Sequence, residues 1–253
     1  MSIIQAVIFG VVEGFTEFLP ISSTGHLILL AKLLDIPDSV FTKTFEIAIQ
    51  SGAILAVVAL YIKRIIYDRD LVKKVLAAFV PTAILGFFLY SFIKGAFFDV
   101  RVVLVALFLG GILLIIFEYW HVPESAEKEK PISYWQALLI GIFQSVAFIP
   151  GVSRAGATIV GGLLLGIGRK SIVEFSFLLA IPTMLAATGY DILKNYQGFS
   201  AGDFGVLAVG FATSFVFALI GIRFLIQFIE SHSFKLFGVY RMVLSVAAWF
   251  LIF

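Results

Sequence analysis

Glu13 and Glu17 stand four residues apart in "EGFTEFLPISSTGHLILL", residues 13–30, with Ser22, Ser23, Thr24 and His26 close behind. At that spacing the two carboxylates share one face of a helix. Held together away from water, they either keep a proton or bind a cation. A hard divalent ion, Mg²⁺ or Ca²⁺, takes oxygen ligands of this kind, and Mg²⁺ often combines one or two carboxylates with substrate phosphates. Glu13 and Glu17 are therefore the candidate metal ligands and the candidate general acid/base groups. Ser22, Ser23 and Thr24 precede a new apolar run. Hydroxyls there can cap a helix start, whose free N–H groups attract anions. His26 falls in the first turn of that helix and adds a base or a nucleophile. The simpler alternative is that the acids sit at a watery mouth.

A second polar set lies in "IPGVSRAGAT", residues 149–158, with Gly151, Ser153, Arg154 and Thr158 as candidate substrate-binding positions. Arg154 is permanently charged and can grip phosphate through two N–H groups at once. Its stretch lacks acids, because Gln144 and Phe148 stand where Glu13 and Glu17 stood. One stretch thus supplies carboxylates, hydroxyls and an imidazole; the other supplies a guanidinium and further hydroxyls. Together they suit a phosphate-bearing anion held at two helix N-termini. Phosphoryl transfer depends mainly on positioning and charge stabilisation. An Arg154–Glu17 ion pair that only holds the fold is the plainer reading.

The elements that carry these residues are apolar. The 253 residues are 61% hydrophobic and 13% charged, against about a quarter charged in soluble domains. Mean hydropathy is +1.08. An integral membrane protein follows, and apolar runs recurring to the last residue do not fit a signal peptide before a globular domain. With no Cys, disulfides and thiolate chemistry are excluded. A net charge of +2 without a basic block gives no reason to expect nucleic acid. Continuous rather than alternating apolar runs predict helices, not a barrel.

Spanning helices are predicted over 45–62, 75–94, 102–120, 172–192, 204–229 and 235–253, each near the ~20 residues a bilayer requires. Residues 5–18 and 25–34 flank "LPISST", and 135–148 and 155–167 flank "IPGVSR". Fourteen helical residues reach about 21 Å against a hydrocarbon core of about 30 Å. Each pair therefore reads as a re-entrant hairpin that dips in and returns. The letters repeat too. Gln5, Ala6 and Gly10 match Gln136, Ala137 and Gly141, and Glu46 corresponds to Glu174. With one position skipped, Pro20 and Ser23 match Pro150 and Ser153, which sets Arg154 opposite Thr24.

The expectation is an all-α membrane domain built as an inverted-topology repeat, each half a re-entrant hairpin plus three transmembrane helices. Residues 1–120 form the first copy, 121–134 a cytoplasmic linker and 135–253 the second. Sites in such repeats lie near the midplane, where the copies meet. The positive-inside rule puts Lys63, Arg64, Arg69, Lys73, Lys74, Lys128, Lys130, Arg169 and Lys170 inside. Lys32, Lys43, Lys94, Arg101 and Lys194 then fall outside, with both termini.

"EGFTEFLPISSTGH" and "PGVSRAGAT" resemble the two signature motifs of the undecaprenyl-diphosphate phosphatase family, the BacA type associated with bacitracin resistance. The resemblance covers nearly the whole chain, including "EFSFLLAIPT" at 174–183. It implies hydrolysis of a polyprenyl diphosphate lipid to undecaprenyl phosphate and inorganic phosphate, recycling the carrier for cell-wall synthesis. It also implies the bacterial inner membrane, a site open to the periplasm, a divalent cation and a homodimer. Carried over by motif position, Glu13 and Glu17 are the acidic pair, Ser23 and His26 the hydroxyl and imidazole, and Ser153, Arg154 and Thr158 the second motif. Ala155 departs from the pattern, where many relatives have a second serine. "SSTGH" and "SR" also resemble the motifs of another lipid phosphatase class, but no His follows Arg154 closely. The nucleophile stays open between His26, Ser23 and water. The competing function is a lipid-phosphate flippase or anion transporter using the same midplane site.

Overall fold

In a computed structural model the described residues are 1–37, 39–96, 99–120, 131–195 and 204–253. Lys128 and Lys130 of the expected linker lie outside them, and the side chains of Lys94 and Lys194 are not described. The described residues form ten α-helices, with no strand among them. Two short helices, α1 (Ile3–Thr16) and α2 (Ser23–Leu33), precede three long ones, α3 (Val40–Tyr67), α4 (Arg69–Ala96) and α5 (Val100–Trp120). The order then recurs. Short α6 (Tyr134–Ser145) runs into a 3-10 turn (Val146–Phe148) and is followed by short α7 (Arg154–Leu164). Long α8 (Arg169–Asn195), α9 (Phe204–Ser231) and α10 (Lys235–Ile252) come after. The six long helices are long and apolar enough to cross a membrane, and they contain the six predicted spans to within a residue or two.

The local reasons are readable. α1 and α6 both open on a capping box. Ser2 Oγ accepts from Gln5 N and Gln5 Oε1 accepts from Ser2 N; Ser133 and Gln136 do the same. α1 stops at Thr16, before Pro20, whose ring opposes helix at the preceding residue.

Water drives little of the helix association in lipid, so close backbone approach at small residues does that work. α1 lies against α9 and α6 against α4. A Cβ on Gly10 would come 2.7 Å from the Gly210 carbonyl of α9, and one on Gly141 would come 1.9 Å from the Ala78 carbonyl of α4. Both contacts require glycine. α3 packs on α8 and α9, and α5 on α10. Phe87, Phe88, Leu113 and Phe250 are exposed, as a lipid-facing surface requires.

Two end clusters fix which helix ends lie together. Buried Glu118 of α5 accepts from Arg169 of α8 at 3.0 Å and from Phe234 N, just before α10, at 2.9 Å. On another patch Lys32, Asp99, Arg101 and Phe253 line one depression, joining the end of α2 to the start of α5 and the end of α10.

Candidate active site

The turns at 17–22 and 149–153 meet inside the helix bundle. Each closes on a serine that caps the next helix from a left-handed backbone, Ser22 with φ 68° and Ser153 with φ 81°. Such conformations cost a non-glycine residue about 1–3 kcal/mol and persist only where surrounding structure enforces them. Ser22 Oγ accepts from Gly25 N at 3.3 Å, and Ser153 Oγ accepts from Gly156 N at 3.0 Å. This corrects the pairing read from the letters. Ser22, not Ser23, is the structural counterpart of Ser153, and Ser23 rather than Thr24 stands opposite Arg154. Ser23 and Thr24 lie within the first turn of α2 instead of preceding it.

Glu17, Ser23 and Arg154 converge. Ser23 Oγ donates to Glu17 Oε2. Arg154 Nη2 lies 3.4 Å from Glu17 Oε1. Arg154 Nη1 donates to the Ser176 carbonyl of α8 at 2.8 Å, and its face lies 6.0 Å from the Phe18 ring centroid. Its Nε is buried with no hydrogen-bond partner among the described residues. Ser153 Oγ also reaches Leu19 O across the two turns at 3.5 Å.

Glu13 is fully buried, and neither carboxylate oxygen has a hydrogen-bond partner among the described residues. Its electrostatic surroundings contain Glu17 and Glu46 against Arg154, so acid exceeds base. Among the described residues no three His, Cys, Asp or Glu side chains cluster as a metal cage. Two carboxylates completed by phosphate oxygens suit Mg²⁺ without one.

Other expected binding residues are placed differently. Thr158 is fully buried behind Arg154, hydrogen-bonded to Ser176 Oγ at 2.6 Å and to the Arg154 carbonyl at 3.0 Å. Gly151, with φ 96°, presents its carbonyl to Arg241, and a Cβ there would come 2.5 Å from Val103 O. Thr24 is half-buried and takes no part in the hydrogen bonds joining the turns. His26 engages other groups than Glu17; its ring nitrogens meet Ser22 O at 2.7 Å and Tyr240 Oη at 2.8 Å.

Arg241 was not anticipated. Only 1% exposed, it sends its guanidinium from α10 to five carbonyls: Pro20 of one turn, Gly151 and Val152 of the other, and Ala106 and Leu107 of α5. A lone charge in "GVYRMVLSVAAWF" was the available signal, since ionisable groups inside spans are costly and usually paired.

The model of the family described as bacitracin resistance protein BacA matches residues 6–247, which include both turns, Glu13, Glu17, Arg154 and Arg241. The chain belongs to the BacA family. Similar proteins include ones from Persephonella marina, 51% identical over 97% of either chain, and Aquifex aeolicus, 51% identical over 98% of either chain. A Sulfurihydrogenibium protein is 52% identical over 97% of this chain and 98% of its own. All three relatives carry the name undecaprenyl-diphosphatase.

Proposed function

We propose that this chain is a multi-pass bacterial membrane phosphatase that hydrolyses undecaprenyl diphosphate to undecaprenyl phosphate and inorganic phosphate. The observation that carries this reading is the meeting of Glu17 and Ser23 with Arg154 from the opposite turn. The relatives' shared name favours hydrolysis over the flippase or anion-transporter reading.

The fold is read as an inverted repeat of two re-entrant hairpins, each followed by three spans. Partner exchange supports this: α1 packs on α9 as α6 packs on α4. The hairpin bases support it too. Gln136 donates to Leu165 O at 3.0 Å and Tyr134 to Asp70 at 2.9 Å, tying the second base to one group of helix ends. The first base joins the group around Arg101 and Phe253. With the basic loops cytoplasmic, the first hairpin enters from the periplasmic face of the inner membrane and the second from the cytoplasmic face.

The diphosphate approaches laterally, leaving its polyprenyl tail in lipid. Arg154 and the N-termini of α2 and α7 hold the terminal phosphate, whose negative charge the guanidinium offsets. Glu17 accepts the Ser23 proton as Ser23 Oγ attacks the terminal phosphorus. The phosphorus–oxygen bond to the inner phosphate breaks and undecaprenyl phosphate leaves. Water then cleaves the serine phosphate, giving inorganic phosphate and restoring Ser23. Glu13 and Glu17 would hold a divalent cation, which supplies charge neutralisation for the phosphates.

Phosphate release from a polyprenyl diphosphate by purified protein in detergent, with and without chelator, tests the activity. No release overturns it. Rapid quenching with substrate labelled in the terminal phosphate tests the nucleophile. An acid-stable, base-labile phosphoenzyme supports Ser23; the reverse stability assigns His26, and no trapped species assigns water.

A further inference from the structure

His26 stands outside the Glu17–Ser23–Arg154 hydrogen bonds, although it lies one helical turn beyond Ser23. Both of its ring nitrogens are engaged. Nδ1 lies 2.7 Å from the Ser22 carbonyl, and Nε2 lies 2.8 Å from the Tyr240 hydroxyl of α10. The two rings are nearly parallel, at 4°, with centroids 5.6 Å apart. A carbonyl oxygen can only accept, so Nδ1 must carry a proton. A neutral ring then leaves Nε2 as an acceptor, and the phenol donates to it. Arg241, the next residue on α10, already brings a guanidinium to this turn through the Pro20 carbonyl. A second positive charge beside it would be repelled.

We infer that Tyr240 is a positioning residue for His26, holding it as the neutral Nδ1–H tautomer with Nε2 occupied by the phenol. The lone pair that phosphorus would need is then taken before substrate arrives. His26 orients the start of α2 and Ser23 attacks. Adjacent side chains of α10 act together here: Arg241 fixes the turn through its carbonyls, and Tyr240 fixes the imidazole at the head of the helix that follows. The kinetic part of this inference rests on the phosphatase reading; the tautomer does not.

The test uses full-length protein labelled with ¹⁵N-histidine in lipid bilayers, with His26→Gln to assign the His26 signals. The expected spectrum has Nδ1 protonated and Nε2 unprotonated and hydrogen-bonded. In Tyr240→Phe the Nε2 signal shifts and Nδ1 keeps its proton. A proton on Nε2 in the wild-type protein, or an unmoved Nε2 in Tyr240→Phe, overturns the assignment. The wild-type spectrum decides the tautomer even if the variant does not fold. In turnover, Tyr240→Phe should lower kcat by about 10-fold or more, by analogy with the scale found for partners that orient metal-ligating histidines. It should add nothing in a His26→Gln background, whereas independent, multiplying losses overturn the coupling. A wild-type protein that releases no phosphate defeats the phosphatase reading and leaves the spectral result standing.

Discussion

Glu17 and Arg154, 137 positions apart in the chain, bring a carboxylate and a guanidinium within 3.4 Å of each other where two helix-capping turns meet. Neither turn holds both groups, so the pair exists only if the two short-helix units fold against one another. The same carboxylate takes the Ser23 hydroxyl, so one residue bridges the hydroxyl and the guanidinium.

Arg154→Ala should lower kcat/KM by roughly 10²-fold or more, as loss of a preorganised charge-stabilising donor does. Steady-state phosphate release measures it. Near-wild-type turnover would break the assignment of Arg154 to the phosphate.

Glu17→Gln should be similarly severe, because the amide cannot take the Ser23 proton. Ser23→Ala introduced into Glu17→Gln should then cost little more, since residues acting as one unit lose function together. Independent losses that multiply in the double variant would separate the two groups.

Arg241→Met should destabilise the protein by about 3 kcal/mol or more, because it strips the guanidinium from the turn carbonyls of Pro20, Gly151 and Val152, and each buried unmet group costs about 1–3 kcal/mol. Gly110→Ala should act in the same direction. Its Cβ would lie 2.0 Å from Arg241 Nη2, so the guanidinium must move. Unfolding by SDS titration in mixed micelles reads both.

Glu174→Gln should be mild, within a few-fold in turnover. Glu174 pairs with Arg64, whose side chain is half exposed, and such pairs contribute about 0–1 kcal/mol. A collapse in activity would place Glu174 in the reaction instead.

The spans were legible because bilayer thickness imposes a length on apolar sequence, and the ends moved outward by only a few residues. Residues 45–62, for example, grew to Val40–Tyr67. The two short-helix units were legible from Pro20, Pro150 and the polar residues beside them. The alignment within the turns was not. Matching Pro20 to Pro150 dragged Ser23 onto Ser153, whereas the capping position is set by backbone dihedrals and falls at Ser22. Thr158 carried the right chemistry for a phosphate contact, but its burial behind Arg154 is a tertiary fact. Arg241 could have been flagged as a charge in grease; its five carbonyl partners come from three separate stretches and no local pattern announces them.

Arg241 also sets an order on biogenesis. It follows Pro20, whose carbonyl it binds, by 221 positions. Until α10 is made, the Pro20, Gly151 and Val152 carbonyls lack this clasp. The clasp that ties the two turns together is therefore complete only when α10 has joined the bundle.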